Sequence, residues 1–141
     1  MKAIDVAKYF LSLVDEDSGD SISNLKLQKL LYYAQGYYLA LNNAPLFPER
    51  IVAWQHGPVV PAVYHSYKQH GNQPIPLERI NPKEYPQDIK DFLNDVYKTI
   101  GQFSAWKLRN MTHAEPPWKN AAVGSVISQQ SMKRHFVTLV S

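Results

Sequence analysis

The sequence predicts a mainly α fold: a compact single-domain bundle of about six helices over residues 1–141, with at most a short two-stranded β element. Three observations carry this. Apolar residues recur at spacings of three and four in several segments, and Gly, Pro and Asx clusters separate those segments. Only one stretch, Pro45–Pro61, instead alternates between breakers. Finally, 141 residues of which 45% are hydrophobic suffice for one core that offsets the entropy of ordering the chain.

In chain order, Ile4, Ala7, Phe10, Leu11 and Val14 define a first short helix, which the acidic run Asp15–Ser21 ends. Ser23 is an N-cap for the second, where Leu27, Leu30, Leu31, Ala34, Tyr38 and Leu41 form a wide apolar stripe up to the NNAP breaker. Tyr33, Gln35 and Tyr37 occupy its other face, and Gly36 lies inside it at about 1 kcal/mol against Ala. A close helix contact is the expected reason for that glycine. Pro45–Pro61 reads as extended chain or a short strand around IVAWQ. A third helix starts at Pro61, where proline suits the first helical position, and stops at Gly71.

Residues 72–86 hold four prolines and form a long connection, with a strand possible at Leu77–Ile80. Ile89, Phe92, Leu93, Val96, Tyr97 and Ile100 then mark a fourth helix before Gly101. Ser104 caps a short fifth helix carrying Trp106, Leu108 and Met111. Thr112–Asn120 reads as a loop because Pro116 and Pro117 remove two consecutive backbone donors. Ile127, Ser128 and Met132 match a hydrophobic staple around an N-cap, opening a last helix with Phe136, Val137 and Val140.

Composition excludes several classes of function. With no cysteine, disulfides, thiolate metal sites and a cysteine nucleophile are ruled out. The N-terminus has too short an apolar run for a secretory signal, and no window is apolar enough to span a membrane, so a cytoplasmic protein is expected. Charge is uneven: residues 1–97 carry nine Lys/Arg and eleven Asp/Glu, net −2, whereas residues 98–141 carry six Lys/Arg and Glu115 alone, net +5. A basic C-terminal third suits nucleic acid or an acidic protein, but no more than two basic residues adjoin, at Lys133 and Arg134, which favours a solvated face over a nucleic-acid stripe.

Five histidines, His56, His65, His70, His113 and His135, raise the question of metal. His65 and His70 are five apart, about 140° around a helix, which is not zinc-ligand spacing; no metal and no cofactor are expected. His113 with Glu115 matches half of a zinc-deaminase signature whose other half needs cysteines this chain lacks. Phosphate-cradling loops and the serine-hydrolase elbow are absent, and the carboxylates Asp88, Asp91 and Asp95 sit on a polar helix face. Aromatics are the stronger clue. At 12% of the chain, Tyr, Trp and His side chains supply rigid contact area with a polar tip, the composition of interface anchors.

Three segments together resemble a known family: LKLQKLLYYAQGYYLALNNAPLF (Leu25–Phe47), IVAWQHGPVVPAVYHSYKQHG (Ile51–Gly71) and LRNMTHAEPPWKNA (Leu108–Ala121) are similar to the Panacea domain, the SocA-like antitoxin family also labelled phage-associated GepA-like proteins. The resemblance implies a helical, non-enzymatic antitoxin that neutralises a cognate toxin, the product of an adjacent gene, by direct protein binding. One branch of the family also acts as an adaptor for a ClpXP-type protease. Some members add a DNA-binding helix-turn-helix domain; with the match spread over most of these 141 positions, none is expected here. The matching positions are Gln28, Lys29, Tyr32, Tyr33, Gln35 and Gly36, then Trp54, His56, Gly57, Pro58, Val59 and Tyr64, then His113, Pro116, Pro117 and Trp118. Of the motif and neighbouring aromatics, Tyr33, Tyr37, Trp54, His56, Tyr64, His113 and Trp118 are the expected partner contacts. The rival reading is a small hydrolase or transferase with His56 and His113 as acid and base, which requires both to converge on one pocket.

Overall fold

A computed structural model describes residues 1–140. Among the described residues the chain forms seven α-helices and a small antiparallel sheet: α1 (Ala3–Ser12), α2 (Asn24–Asn42), β1 (Ile51–Trp54), β2 (Gly57–Val59), α3 (Pro61–Tyr67), α4 (Gln87–Ile100), α5 (Ala105–His113), α6 (Pro116–Lys119), β3 (Val126–Ile127) and α7 (Gln129–Val140). The sheet order is β2-β1-β3, with Val52 opposite Val59 and Ile51 opposite Ile127.

The helix ends follow local chemistry. Ser23 and Ser104 accept the N–H groups of Lys26 and Lys107, and Ser128 accepts that of Ser131, so the three serines cap α2, α5 and α7 as expected. Pro61 sits in the first turn of α3. At its C-terminus α2 stops with Asn43 in the left-handed region, φ 55°, a conformation asparagine tolerates better than most residues.

Helix α2 departs from the one-sided stripe its sequence suggests. From Asn24 to Gly36 nearly every residue is buried, including Lys26, Gln28, Lys29 and Gln35, whereas Leu41, expected in the apolar stripe, is 58% exposed. The helix is the axis of the molecule: α1, α3, α4, α5, α7 and β2 all pack against it. Its buried polar groups are committed to backbone. The Gln35 amide accepts from Leu46 N (2.8 Å) and Phe47 N (3.3 Å) and donates to Phe47 O (2.8 Å), which fixes the α2–β1 connection. Gln28 accepts from Val60 N (2.9 Å) and donates to Asn24 Oδ1 (2.9 Å), and Asn24 in turn donates to Tyr64 O (3.1 Å), which fixes the start of α3. Such groups satisfy backbone atoms that would otherwise be buried without partners.

Gly36 makes the close helix contact. A Cβ there would lie 2.2 Å from Phe136 Cε2 of α7, and the Phe136 ring packs edge-on against Tyr32, Tyr33 and Tyr37 at centroid separations of 5.4, 5.8 and 4.9 Å.

Three expectations are corrected. Pro116–Lys119 is one helical turn and not a loop: the prolines occupy its first two positions, whose N–H groups have no partner inside a helix and are no loss. The sheet has a third strand, β3, because Val126 and Ile127 pair with β1 across a separation in sequence that no local pattern announces. Leu77–Ile80 forms no strand; the connection is instead tied in by Ile75 N donating to Ile22 O at 2.8 Å.

Candidate partner-binding surface

The β1–β2 turn brings Trp54 and His56 to one surface, and α3 adds Tyr64 beside them. Gly57 in that turn has φ +113°, open to glycine and strained for other residues, and a Cβ would meet Lys29 Cε at 2.6 Å and Thr112 Oγ1 at 2.9 Å. The turn therefore lies directly on the Lys29 side chain. Lys29 is fully buried, and its ammonium donates to Pro58 O at 2.9 Å. Burial, and secondarily the Arg109 guanidinium, push its pKa down to about 7.

A cavity of about 300 Å³ opens here, with largely apolar walls that include Gln28, Lys29, Trp54, His56, Val59 and Tyr64. Trp54 and Tyr64 meet edge to face at 4.8 Å between centroids. On the other side of His56, Arg109 Nε donates to His56 Nδ1 at 3.2 Å while the guanidinium lies over the Trp106 ring at 4.4 Å. Trp106 is 56% exposed. Tyr64, Trp54, His56, Arg109 and Trp106 thus form one strip of amphipathic side chains drawn from α3, the hairpin and α5.

His113 and Trp118 support this strip. Their rings stack at 3.8 Å with an interplanar angle of 11°, and Trp118 Nε1 donates to Trp54 O at 2.8 Å. Burial lowers the His113 pKa, the Arg109, Lys29 and His56 charges lower it further, and a hydrogen bond with the Gln55 backbone opposes them. His113 Nε2 is enclosed without a hydrogen-bond partner. His56 and His113 are near enough to influence one another, yet His113 does not line the cavity that His56 borders. A ring laid flat on Trp118 with its free nitrogen enclosed is poorly placed to exchange protons with a substrate.

Two other expected contacts lie elsewhere. Tyr33, expected to face a partner, is 1% exposed: its hydroxyl donates to Glu115 Oε2 at 2.7 Å, beside that of Tyr32, which donates to Oε1 at 2.9 Å. A residue so enclosed is part of the core. Tyr37 is half-buried and packs on Phe136. Burial raises the Glu115 pKa and the two tyrosine hydrogen bonds oppose the rise, while His135 Nε2 lies 3.8 Å from Oε1. This network fastens α2 to the α5–α6 corner and to α7.

Trp106 and Arg109 are the members of the surface that sequence reasoning did not place there, and Lys29 lies fully buried beneath it. Trp106 and Arg109 are three apart on one helix, a spacing that puts them on a common face and was available as a signal. Among the described residues, no three His, Asp or Glu side chains cluster closely enough to hold a metal ion, and no helix is long and apolar enough to cross a membrane.

Comparison with known proteins agrees with this arrangement of motifs. Residues 27–119 match the family model described as "Antitoxin SocA-like, Panacea domain". Antitoxin SocA of Caulobacter vibrioides (strain NA1000 / CB15N) is 36% identical over 116 residues, covering 73% of this chain and 61% of that protein. The chain thus spans about three fifths of the length of the curated relative it matches. No solved structure matches. With well over half of its residues matched, and with Gln28, Gln35, Gly36 and Gly57 of the first two motifs all committed to holding α2, the hairpin and α7 together, the chain belongs to the SocA-like Panacea domain family.

Proposed function

We propose that the protein is an antitoxin that binds a cognate toxin, the product of the adjacent gene, in the cytoplasm and neutralises it by protein–protein contact without chemistry of its own. Membership of the Panacea family carries this reading. The contact surface is the strip Tyr64, Trp54, His56, Arg109 and Trp106, whose aromatic and arginine side chains are the residue types that dominate binding energy at interfaces. His113 and Trp118 act from behind it by fixing the Trp54 backbone. Delivery of the bound toxin to a ClpXP-type protease is the further step that the family resemblance suggests.

The test is co-expression with the neighbouring gene. The neighbour alone arrests growth, this chain restores growth, and the two co-purify. A harmless neighbour, or rescue without a complex, refutes direct neutralisation. Trp106→Ala leaves the free energy of unfolding within about 0.5 kcal/mol of wild type, as for other exposed positions, and speeds dissociation about tenfold or more. Unchanged dissociation in this folded variant removes Trp106 from the interface. A toxin half-life that is the same with and without the antitoxin in cells containing ClpXP excludes the delivery step.

A further inference from the structure

Strand β3 leaves its outer edge bare. Ala53 N donates to Ser125 O at 2.9 Å, so Val52 and Val126 are the cross-strand pair that exchanges no hydrogen bonds, and Ile51 and Ile127 are the pair that does. The N–H and C=O of Val126 therefore point away from β1, and neither has a hydrogen-bond partner among the described residues. Val126 is 55% exposed, so nothing covers this edge as helices or loops cover many others. The edge forms one wall of a groove of about 700 Å³, closed on its other sides by α6 and α7. The charge in the groove has one sign. Its lining includes Arg134 and His135 and no carboxylate, and Arg134 is exposed with no acid within ion-pair distance. Glu115, the single acid of residues 98–141, is held by the Tyr32 and Tyr33 hydroxyls on the far side of His135. Burial lowers the His135 pKa, so the cation of the groove at neutral pH is Arg134. The Ser128 hydroxyl, which accepts from Ser131 N, keeps its own proton free as a further donor.

We propose that an extended acidic segment of the toxin adds to β3 as a fourth strand, bonding to the Val126 N–H and C=O and placing an aspartate or glutamate against Arg134. The identity of that partner rests on the antitoxin reading. An unpaired strand edge is satisfied by another main chain, which supplies affinity through hydrogen bonds, while side chains in the flanking groove supply the choice of sequence. A second copy of this chain is the other main chain available, and charge opposes it. Pairing two β3 edges would bring together two basic segments, each of net +5 over residues 98–141, and two Arg134 side chains. An acidic segment meets the same field with the opposite sign.

Two pools of blocked hexapeptides of alternating valine and threonine are the probes, one with a single aspartate at each position in turn and one with asparagine in its place. They are titrated into the full chain and followed by amide resonances. Both pools shift the Ile127 and Ser128 amides, and the aspartate pool binds about fivefold tighter at low salt, a preference that shrinks as salt is added. Val126→Pro removes an N–H that the β1–β3 ladder does not use, a place where edge strands tolerate proline, and weakens both pools at least tenfold. Arg134→Gln equalises the pools. No shift at these amides, equal binding of the two pools to wild type, unchanged binding to a folded Val126→Pro, or a preference that survives Arg134→Gln overturns the proposal. Should Val126→Pro fail to fold, Arg134→Gln at its exposed position still decides it. The toxin complex separates the two readings. Val126→Pro and Arg134→Glu each speed its dissociation about tenfold. If wild type forms the complex and both variants release it at the wild-type rate, the strand site falls and the antitoxin reading stands. If wild type forms no complex, the antitoxin reading falls and takes this partner with it.

Discussion

Replacing Gly36 by alanine sets local propensity against tertiary packing, and the two predict opposite signs. Within a helix interior, Gly→Ala is favourable by about 1 kcal/mol. Against that, the new methyl would stand 2.2, 2.3 and 2.5 Å from three ring atoms of Phe136, where about 3.5–4.0 Å is the ordinary carbon separation. The ring must move by more than an ångström. It has nowhere to go: Phe136 is fully buried and is met edge-on by Tyr32, Tyr33 and Tyr37. Overpacking of this kind costs about 1–3 kcal/mol, and expulsion of the ring approaches the 3–5 kcal/mol of a Phe→Ala truncation. Subtracting the propensity gain leaves a net loss of about 2 kcal/mol. Equilibrium urea unfolding reads this as a midpoint lowered by roughly 1 M at an unchanged slope. The coupling is checked in a Phe136→Ala background, where Gly36→Ala becomes neutral or stabilising by up to about 1 kcal/mol. A single variant as stable as wild type, or an equal loss in both backgrounds, would refute the contact as the reason for this glycine.

Gln35→Leu leaves the Leu46 and Phe47 N–H groups and the Phe47 carbonyl without their buried partner, and lowers stability by about 2–4 kcal/mol in the same urea assay; a loss below about 0.5 kcal/mol would show that the connection satisfies these groups another way. Lys29→Met changes how stability depends on pH. Because burial pulls the native lysine pKa down to about 7 while the unfolded value stays near 10.5, the unfolded chain binds more protons between those limits. Wild-type stability therefore gains up to roughly 1.4 kcal/mol per pH unit from Lys29 above pH 7, a gain complete only at the unfolded value. The methionine variant lacks this contribution and is the more stable of the two at pH 7, by an amount that shrinks toward pH 9; parallel wild-type and variant profiles would contradict the burial of a titrating amine.

Local signals made most helix positions legible. Serine caps, Pro61 at the start of α3 and periodic apolar residues in α1, α4 and α7 act within a few residues of themselves, so their pattern is visible without a fold. Strand β3 is different. Val126–Ile127 is too short to show a period and exists because β1 lies beside it. The turn Pro116–Lys119 was hidden by a correct fact about proline applied at the wrong place, since a missing donor is harmless in the first turn. Among the expected partner contacts, Trp54, His56 and Tyr64 meet around one cavity, and Tyr33 turns inward. Spacing along α2 could not separate these outcomes, because over Asn24–Gly36 the helix is packed on nearly all sides and leaves Tyr32 and Tyr33 no outer face to occupy.

What the sequence by itself determined is the succession of helices, the absence of cysteine chemistry and the three motifs that mark the family, all of which depend on residue identity and near spacing. What only the tertiary structure decided is what those motif residues do. Gln28, Gln35, Gly36 and Gly57 hold backbone and helix contacts, whereas Trp54, His56 and Tyr64 enclose a cavity against Lys29. The reason is physical: burial, hydrogen-bond partners and the charge around a lysine are set by groups far away in the chain, here 82 residues apart for Tyr33 and Glu115, and no local pattern carries that information.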